Sequence, residues 1–129
     1  MQDLQSSQLP TPQAMERYAA HFQQRRKNDL LEKQKHCQYA WEQAKLAAQI
    51  LKTHYGIKQV LLFGSLLTPN LFDAHSDIDL AVAELPLNLY CDAVGMLLLE
   101  VKGFNIDLIR LESSPSSLKA YILREGVKL

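Results

Sequence analysis

Whatever chemistry this chain performs rests on three aspartates and one glycine–serine pair. Asp77 and Asp79 stand two apart in the run Asp77-Ile78-Asp79-Leu80-Ala81-Val82-Ala83. In an extended strand both carboxylates face one way, while Ile78, Leu80 and Val82 face the other and can enter a core. Like charges so placed repel unless a divalent cation lies between them. Asp107 repeats the arrangement among Ile106, Leu108 and Ile109. Together the three offer the hard oxygen ligands Mg²⁺ takes, with water or substrate phosphate completing its shell. Two such ions side by side suit in-line displacement at phosphorus. Upstream, Gly64-Ser65 closes the run Leu61-Leu62-Phe63. The glycine lets a phosphate approach the backbone, and the serine hydroxyl with the amides that follow can donate hydrogen bonds to it. An anion cradle followed by a carboxylate pair is equipment for handling a nucleoside triphosphate.

The elements that must position these groups follow from the pattern. Between Met15 and Tyr55 the sequence holds neither Gly nor Pro, and apolar or small residues recur at Met15, Tyr18, Ala19 and Phe22, then from Leu30 through Ala40, Trp41, Ala44, Ala48 and Leu51. That is helical spacing. The polar stretch Gln23–Asn28 interrupts the stripe, and Asp29 with Glu32 fits a capping pair, so two helices are expected, over 13–27 and 30–54, the second stopped by Gly56. Strands are expected over 58–63, 77–83 and 104–111, with a helix over 88–102 capped by Asn88 and a short one over 118–124. The fold class is α/β (α+β-like): a small mixed sheet of about three strands flanked by helices, with an N-terminal helical extension. The organisation reads as a loose tail over 1–12, the extension over 13–56 with its second helix on the sheet, and the core over 57–129. The more polar first helix, with its thin stripe, is expected to complete a partner or subunit interface.

Composition sets the outer bounds. The 129 residues suffice for a single core, and 47% hydrophobic content excludes a wholly disordered chain. Fourteen basic residues balance fourteen acidic ones, which argues against a dedicated nucleic-acid binder. No apolar run reaches membrane-spanning length, and the N-terminus lacks the pattern of a signal peptide. Cys37 and Cys91 make neither a disulfide framework nor a zinc site and read as small buried hydrophobes. A reduced, cytoplasmic protein is the expectation, with no membrane and no direct nucleic-acid partner.

The run LLFGSLLTPNLFDAHSDIDLAV, with the later FNIDLI and the closing AYILREGVKL, resembles a minimal nucleotidyltransferase of the DNA polymerase beta superfamily over residues 57–129. That family's motif is Gly-Ser, a short loop, Asp-x-Asp and a third carboxylate on a later strand. The resemblance implies that Gly64 and Ser65 hold the triphosphate of ATP. It implies that Asp77 and Asp79 bind two Mg²⁺ ions, and that Asp107 helps bind one and activates the attacking hydroxyl. Small stand-alone members of this kind are commonly antitoxins, paired with an all-helical ribonuclease toxin of the HEPN family. The implied function is transfer of AMP from Mg–ATP to a tyrosine of that toxin, which neutralises it within a hetero-oligomer. The chain departs from the pattern in two places. The eleven residues from Leu66 to Ser76 make a slightly longer loop than usual, and Leu66-Leu67-Thr68-Pro69 stands where the family often has a small residue, Arg and Gly.

Other readings compete. The chain could neutralise a toxin by occluding its active site with the carboxylates vestigial, and the altered turn after Ser65 favours that reading. Nucleotide transfer to a small molecule ranks lower, because the chain shows no additional domain to hold one. Asp-x-Asp alone serves many edge strands as a guard against aggregation. Asp73 invites comparison with calcium loops, but the EF-hand spacing is absent and a solvated loop acid is the simpler reading. His75 neighbours the carboxylate pair, where it either touches a phosphate or is simply exposed. The cluster Arg25-Arg26-Lys27 reads as a solvated face, with docking of an acidic partner or RNA as the alternative.

Overall fold

The computed structural model describes residues 9–129, so most of the expected tail over 1–12 lies outside the described residues. Helix α1 spans Pro12–Tyr55. Thr11 Oγ1 accepts the Ala14 N–H at 3.1 Å, and Pro12 falls in the first turn, where no backbone donor is needed. The expected break near Asn28 does not occur: α1 is one helix of 44 residues rather than two. A gap in an apolar stripe is not a gap in the backbone. Gln, Arg, Lys and Glu are good helix formers, and Gln24 Nε2 donates to Asn28 Oδ1 at 3.2 Å across the expected break. Gly56, at φ +65°, ends the helix as anticipated.

The chain forms two compact units, divided after Lys35. In the described part of the first, α1 has no buried residue; Met15, Tyr18, Phe22, Leu30 and Leu31 are all exposed.

The second unit, His36–Leu129, holds the sheet. Its elements after α1 are β1 (Val60–Phe63), β2 (Ile78–Val82), α2 (Leu87–Glu100), β3 (Ile106–Arg110), α3 (Ser116–Glu125) and β4 (Val127–Lys128), with short 3₁₀ turns at Ser65–Leu67 and Leu111–Ser113. The sheet is four-stranded in the order β3-β2-β1-β4, one strand more than expected. The β4 strand is two residues long, too short to show a period, and it pairs antiparallel with β1. β1 and β2 are also antiparallel, whereas β2 and β3 run parallel with α2 as their crossover. The expected Asn88 cap is not used: Pro86 occupies the cap position of α2 and no side chain caps it.

Alternation divides the strands between two cores. Val60, Leu62, Ile78, Leu80, Val82 and Leu108 pack with Ala40, Ala44, Ala47, Ala48 and Leu51 of α1 and with Ala93 and Leu97 of α2. The alanines let α1 lie close on the sheet, and each fully buried Leu or Ile contributes about 1.5–3 kcal/mol. On the opposite face Leu61, Phe63 and Ala81 pack with Ile122 of α3 and with Leu111. Asp79 alternates with Leu80, and the pleat therefore delivers it to the α3 side. Cys91, expected to be buried, is exposed, because it falls on the outer face of α2; Cys37 is half-buried. Among the described residues no helix is long and apolar enough to cross a membrane.

Candidate active site

Register brings the acidic residues together. In the parallel β2–β3 pair Asp79 lies directly beside Asp107, and in the antiparallel β1–β2 pair it lies opposite Phe63. Asp77 immediately precedes β2, two residues before Asp79 and by alternation on the same face. Asp77 and Asp107 are exposed and Asp79 is half-buried. Burial first, then the charges of Asp107 and Asp77, push the Asp79 carboxyl up to about 6. The interaction among the three is thus visible in the electrostatics as well as in the register.

Gly64 follows β1 with φ +85°. A Cβ built there would lie 2.1 Å from Asp79 Oδ2, so the chain at this point passes directly against the carboxylate. Only glycine fits both the backbone conformation and the space. The chain then turns through Ser65–Leu67, where Leu67 N–H donates to Gly64 O at 3.2 Å and Thr68 N–H to Ser65 O at 3.0 Å. Ser65 is half-exposed at the opening of this turn. All five residues singled out by the sequence therefore gather at one end of the sheet: Gly64 and Ser65 at the end of β1, Asp77 and Asp79 at the start of β2, Asp107 at the start of β3.

The loop ahead of Asp77 is tied down partly by an aromatic clasp that the sequence pattern does not single out. The His36 ring packs 5.4 Å from Phe72 and 5.0 Å from Phe104, centroid to centroid, and its Nε2 lies 3.3 Å from the Asp73 carbonyl. Asp73 folds the loop on itself: His75 N–H donates to its Oδ1 at 2.8 Å and Ser76 Oγ–H at 3.2 Å. The His75 amide bond is the main cause holding the Asp73 carboxyl below the ordinary range. Asp73 is thus a turn-forming acid, the simpler of its two readings. Ile78 N–H then donates to Asn105 O at 2.9 Å, docking the start of β2 against the segment that leads into β3. An aromatic clasp between residues so far apart in sequence leaves no local signal.

The donor set fits a divalent cation. Among the described residues no three His, Cys, Asp or Glu side chains close into a ready-made ion cage. The three aspartates instead stand at one open end of the sheet. Mg²⁺ keeps several waters and takes one or two carboxylates plus substrate phosphates, so an open, anionic oxygen cluster suits it better than a closed one.

The polymerase beta nucleotidyltransferase family matches residues 45–129, more than half of the chain. The chain belongs to that family. The match takes in the last turns of α1 and every strand, so the nucleotidyltransferase fold includes the end of the long helix. Seven solved chains match as well. One belongs to a structure described as "Crystal structure of the toxin-antitoxin with AMP-PNP": 22% identical, covering 64% of this chain and 68% of that one, with a TM-score of 0.52. At that identity the likeness is one of fold. No curated protein is similar enough in sequence to count as a match.

Proposed function

We propose that this nucleotidyltransferase is an antitoxin that transfers AMP from Mg–ATP to a tyrosine of a cognate HEPN ribonuclease toxin. The observation that carries the reading is the side-by-side register of Asp79 and Asp107, with Asp77 two residues away and Gly64 pressed against Asp79. The likeness of fold to a toxin–antitoxin structure holding an ATP analogue supports it.

Each residue has a role in that chemistry. Gly64 and Ser65 receive the phosphates through the backbone amides and the serine hydroxyl. Asp77, Asp79 and Asp107 would hold the divalent ions, whose contribution is to neutralise charge on the attacking and leaving oxygens. The Asp107 carboxylate takes the proton of the tyrosine hydroxyl. The phenolic oxygen bonds to the α-phosphorus, the bond from that phosphorus to the bridging oxygen breaks, and pyrophosphate leaves with the electron pair. Burial, and then the charges of Asp107 and Asp77, raise the Asp79 carboxyl to about 6, and a bound cation would offset both.

The test is incubation of the purified toxin with this protein and ATP radiolabelled at the α-phosphate. Label on the toxin, lost with the double variant Asp77→Asn and Asp79→Asn, supports the reading; label that survives in the double variant sinks it. A second reading, direct occlusion of the toxin without catalysis, draws on the turn Leu66-Leu67-Thr68-Pro69, which adds no basic side chain to the phosphate cradle. Under it the toxin recovers full activity as soon as the antitoxin is removed.

A further inference from the structure

Both strands that carry the acidic cluster are entered through segments held by one face of α1. His36, Tyr39 and Gln43 stand at i, i+3 and i+7, the spacing that aligns side chains along a helix. The His36 ring packs on Phe72 and Phe104, and its Nε2 faces the Asp73 carbonyl, where a protonated nitrogen donates to it. That carbonyl also accepts the Ser76 N–H at 3.2 Å, so His36 grips the turn that leads into Asp77. Tyr39 packs on Phe104 at 5.7 Å between centroids. It also covers Gly103, where φ is +86° and an added Cβ would lie 3.2 Å from Tyr39 Cε2. Gln43 Oε1 accepts the Lys102 N–H at 2.9 Å. Residues 102–104 lead directly toward β3 and Asp107. One helix face thus fixes the approach to β2 and the approach to β3 together.

Resting on the proposed reading of the aspartates as holders of divalent ions, we infer that His36, Tyr39 and Gln43 are positioning residues for the acidic cluster. Asp77 is exposed, so no packing of its own side chain fixes it. Its place depends on the turn behind it and on the bond from Ile78 N–H to Asn105 O, which ties β2 to the entry of β3. The three side chains act at both points, because His36 holds the turn and all three hold the segment that ends at Phe104, beside Asn105. Mg²⁺ demands near-ideal octahedral geometry, so a small displacement of one carboxylate against another weakens its binding. The region that matches the nucleotidyltransferase family begins at residue 45, and all three residues precede it. The brace therefore lies in a part of the chain that the family match does not cover.

The experiment titrates the full chain with Mn²⁺ in the absence of nucleotide, read by electron paramagnetic resonance, and follows backbone amides of the ¹⁵N-labelled chain by NMR. His36→Ala and Tyr39→Ala should each weaken Mn²⁺ binding about tenfold or more, the usual effect of removing groups that orient metal ligands from behind. His36→Ala is expected to shift the amides of residues 73–77, and Tyr39→Ala those of 102–107. His36→Gln keeps a donor for the Asp73 carbonyl and should bind Mn²⁺ more tightly than His36→Ala. Ile50→Val, which trims the core further along the same helix, should lower the melting temperature and leave Mn²⁺ affinity within about twofold of wild type. Affinity within about twofold of wild type in both alanine variants overturns the inference, and so does an equal loss in Ile50→Val, which would make the effect one of general stability. Wild-type Mn²⁺ binding that persists when Asp77 and Asp79 are both Asn counts instead against the aspartate site itself, so the two failures are told apart.

Discussion

The backbone of Gly64 lies against the carboxylate of Asp79, so closely that a methyl group at position 64 would sit 2.1 Å from Oδ2. The proposed phosphate cradle and the acidic cluster are therefore in direct contact. Gly64→Ala adds a side chain at φ +85° and drives it into Asp79, a strain of roughly 1–3 kcal/mol from the backbone conformation alone. The variant is expected to melt at lower temperature and to lose Mn²⁺ binding together with nucleotide binding, measured by denaturation and calorimetry. Loss of nucleotide with intact metal binding would separate the two sites.

Asp79 makes stability depend on pH in a defined direction. Its carboxyl is raised from 3.8 to about 6, so the folded state holds the proton more tightly than the unfolded state. The contribution is favourable below pH 4 and is lost as pH rises through about 6. Asp79→Asn removes the penalty. The variant should match the wild type in melting temperature near pH 4 and exceed it increasingly up to about pH 6, then by a constant margin. The margin is on the order of 1 kcal/mol, because Asp79 is only half-buried and solvent screens the repulsion. Added Mg²⁺ should raise the wild type toward the variant at neutral pH.

Phe72 is fully buried and packs on His36 and Phe104, which together hold the loop that precedes Asp77. Phe72→Ala is expected to destabilise the folded unit by about 3–5 kcal/mol. Hydrogen exchange should quicken first over residues 73–77, where the loop is fastened, and only later in β1.

The part of α1 before Lys35 buries nothing among the described residues. A chain beginning at Asp29 should therefore keep its unfolding free energy to within about 0.5 kcal/mol, measured by urea denaturation. The removed segment, with Met15, Tyr18 and Phe22 exposed, is expected to complete a partner or subunit interface, so the shortened chain should lose partner affinity or change its oligomeric state.

The gathering of the candidate residues is legible because alternation is a local rule: Asp77, Asp79 and Asp107 sit in apolar strand contexts, and a period of two assigns their face without further information. Gly64 was legible as a residue a phosphate could approach, but not as the neighbour of Asp79, since that contact depends on the β1–β2 register. The break expected near Asn28 does not form because a break in amphipathicity is not a break in the helix; Gly, Pro or a used cap is what ends one. The His36–Phe72–Phe104 clasp joins an N-terminal helix, a loop and a strand entry, and no local spacing signals such a contact. β4 is too short for any period to show.

The most direct measurement of the central claim is the intact mass of the toxin after incubation with this protein and Mg–ATP, followed by repurification. The account predicts a gain equal to one or more AMP groups, located on tyrosine, with ribonuclease activity still absent, and no gain when Asp77 and Asp79 are both Asn. An unchanged mass with full recovery of ribonuclease activity would contradict it.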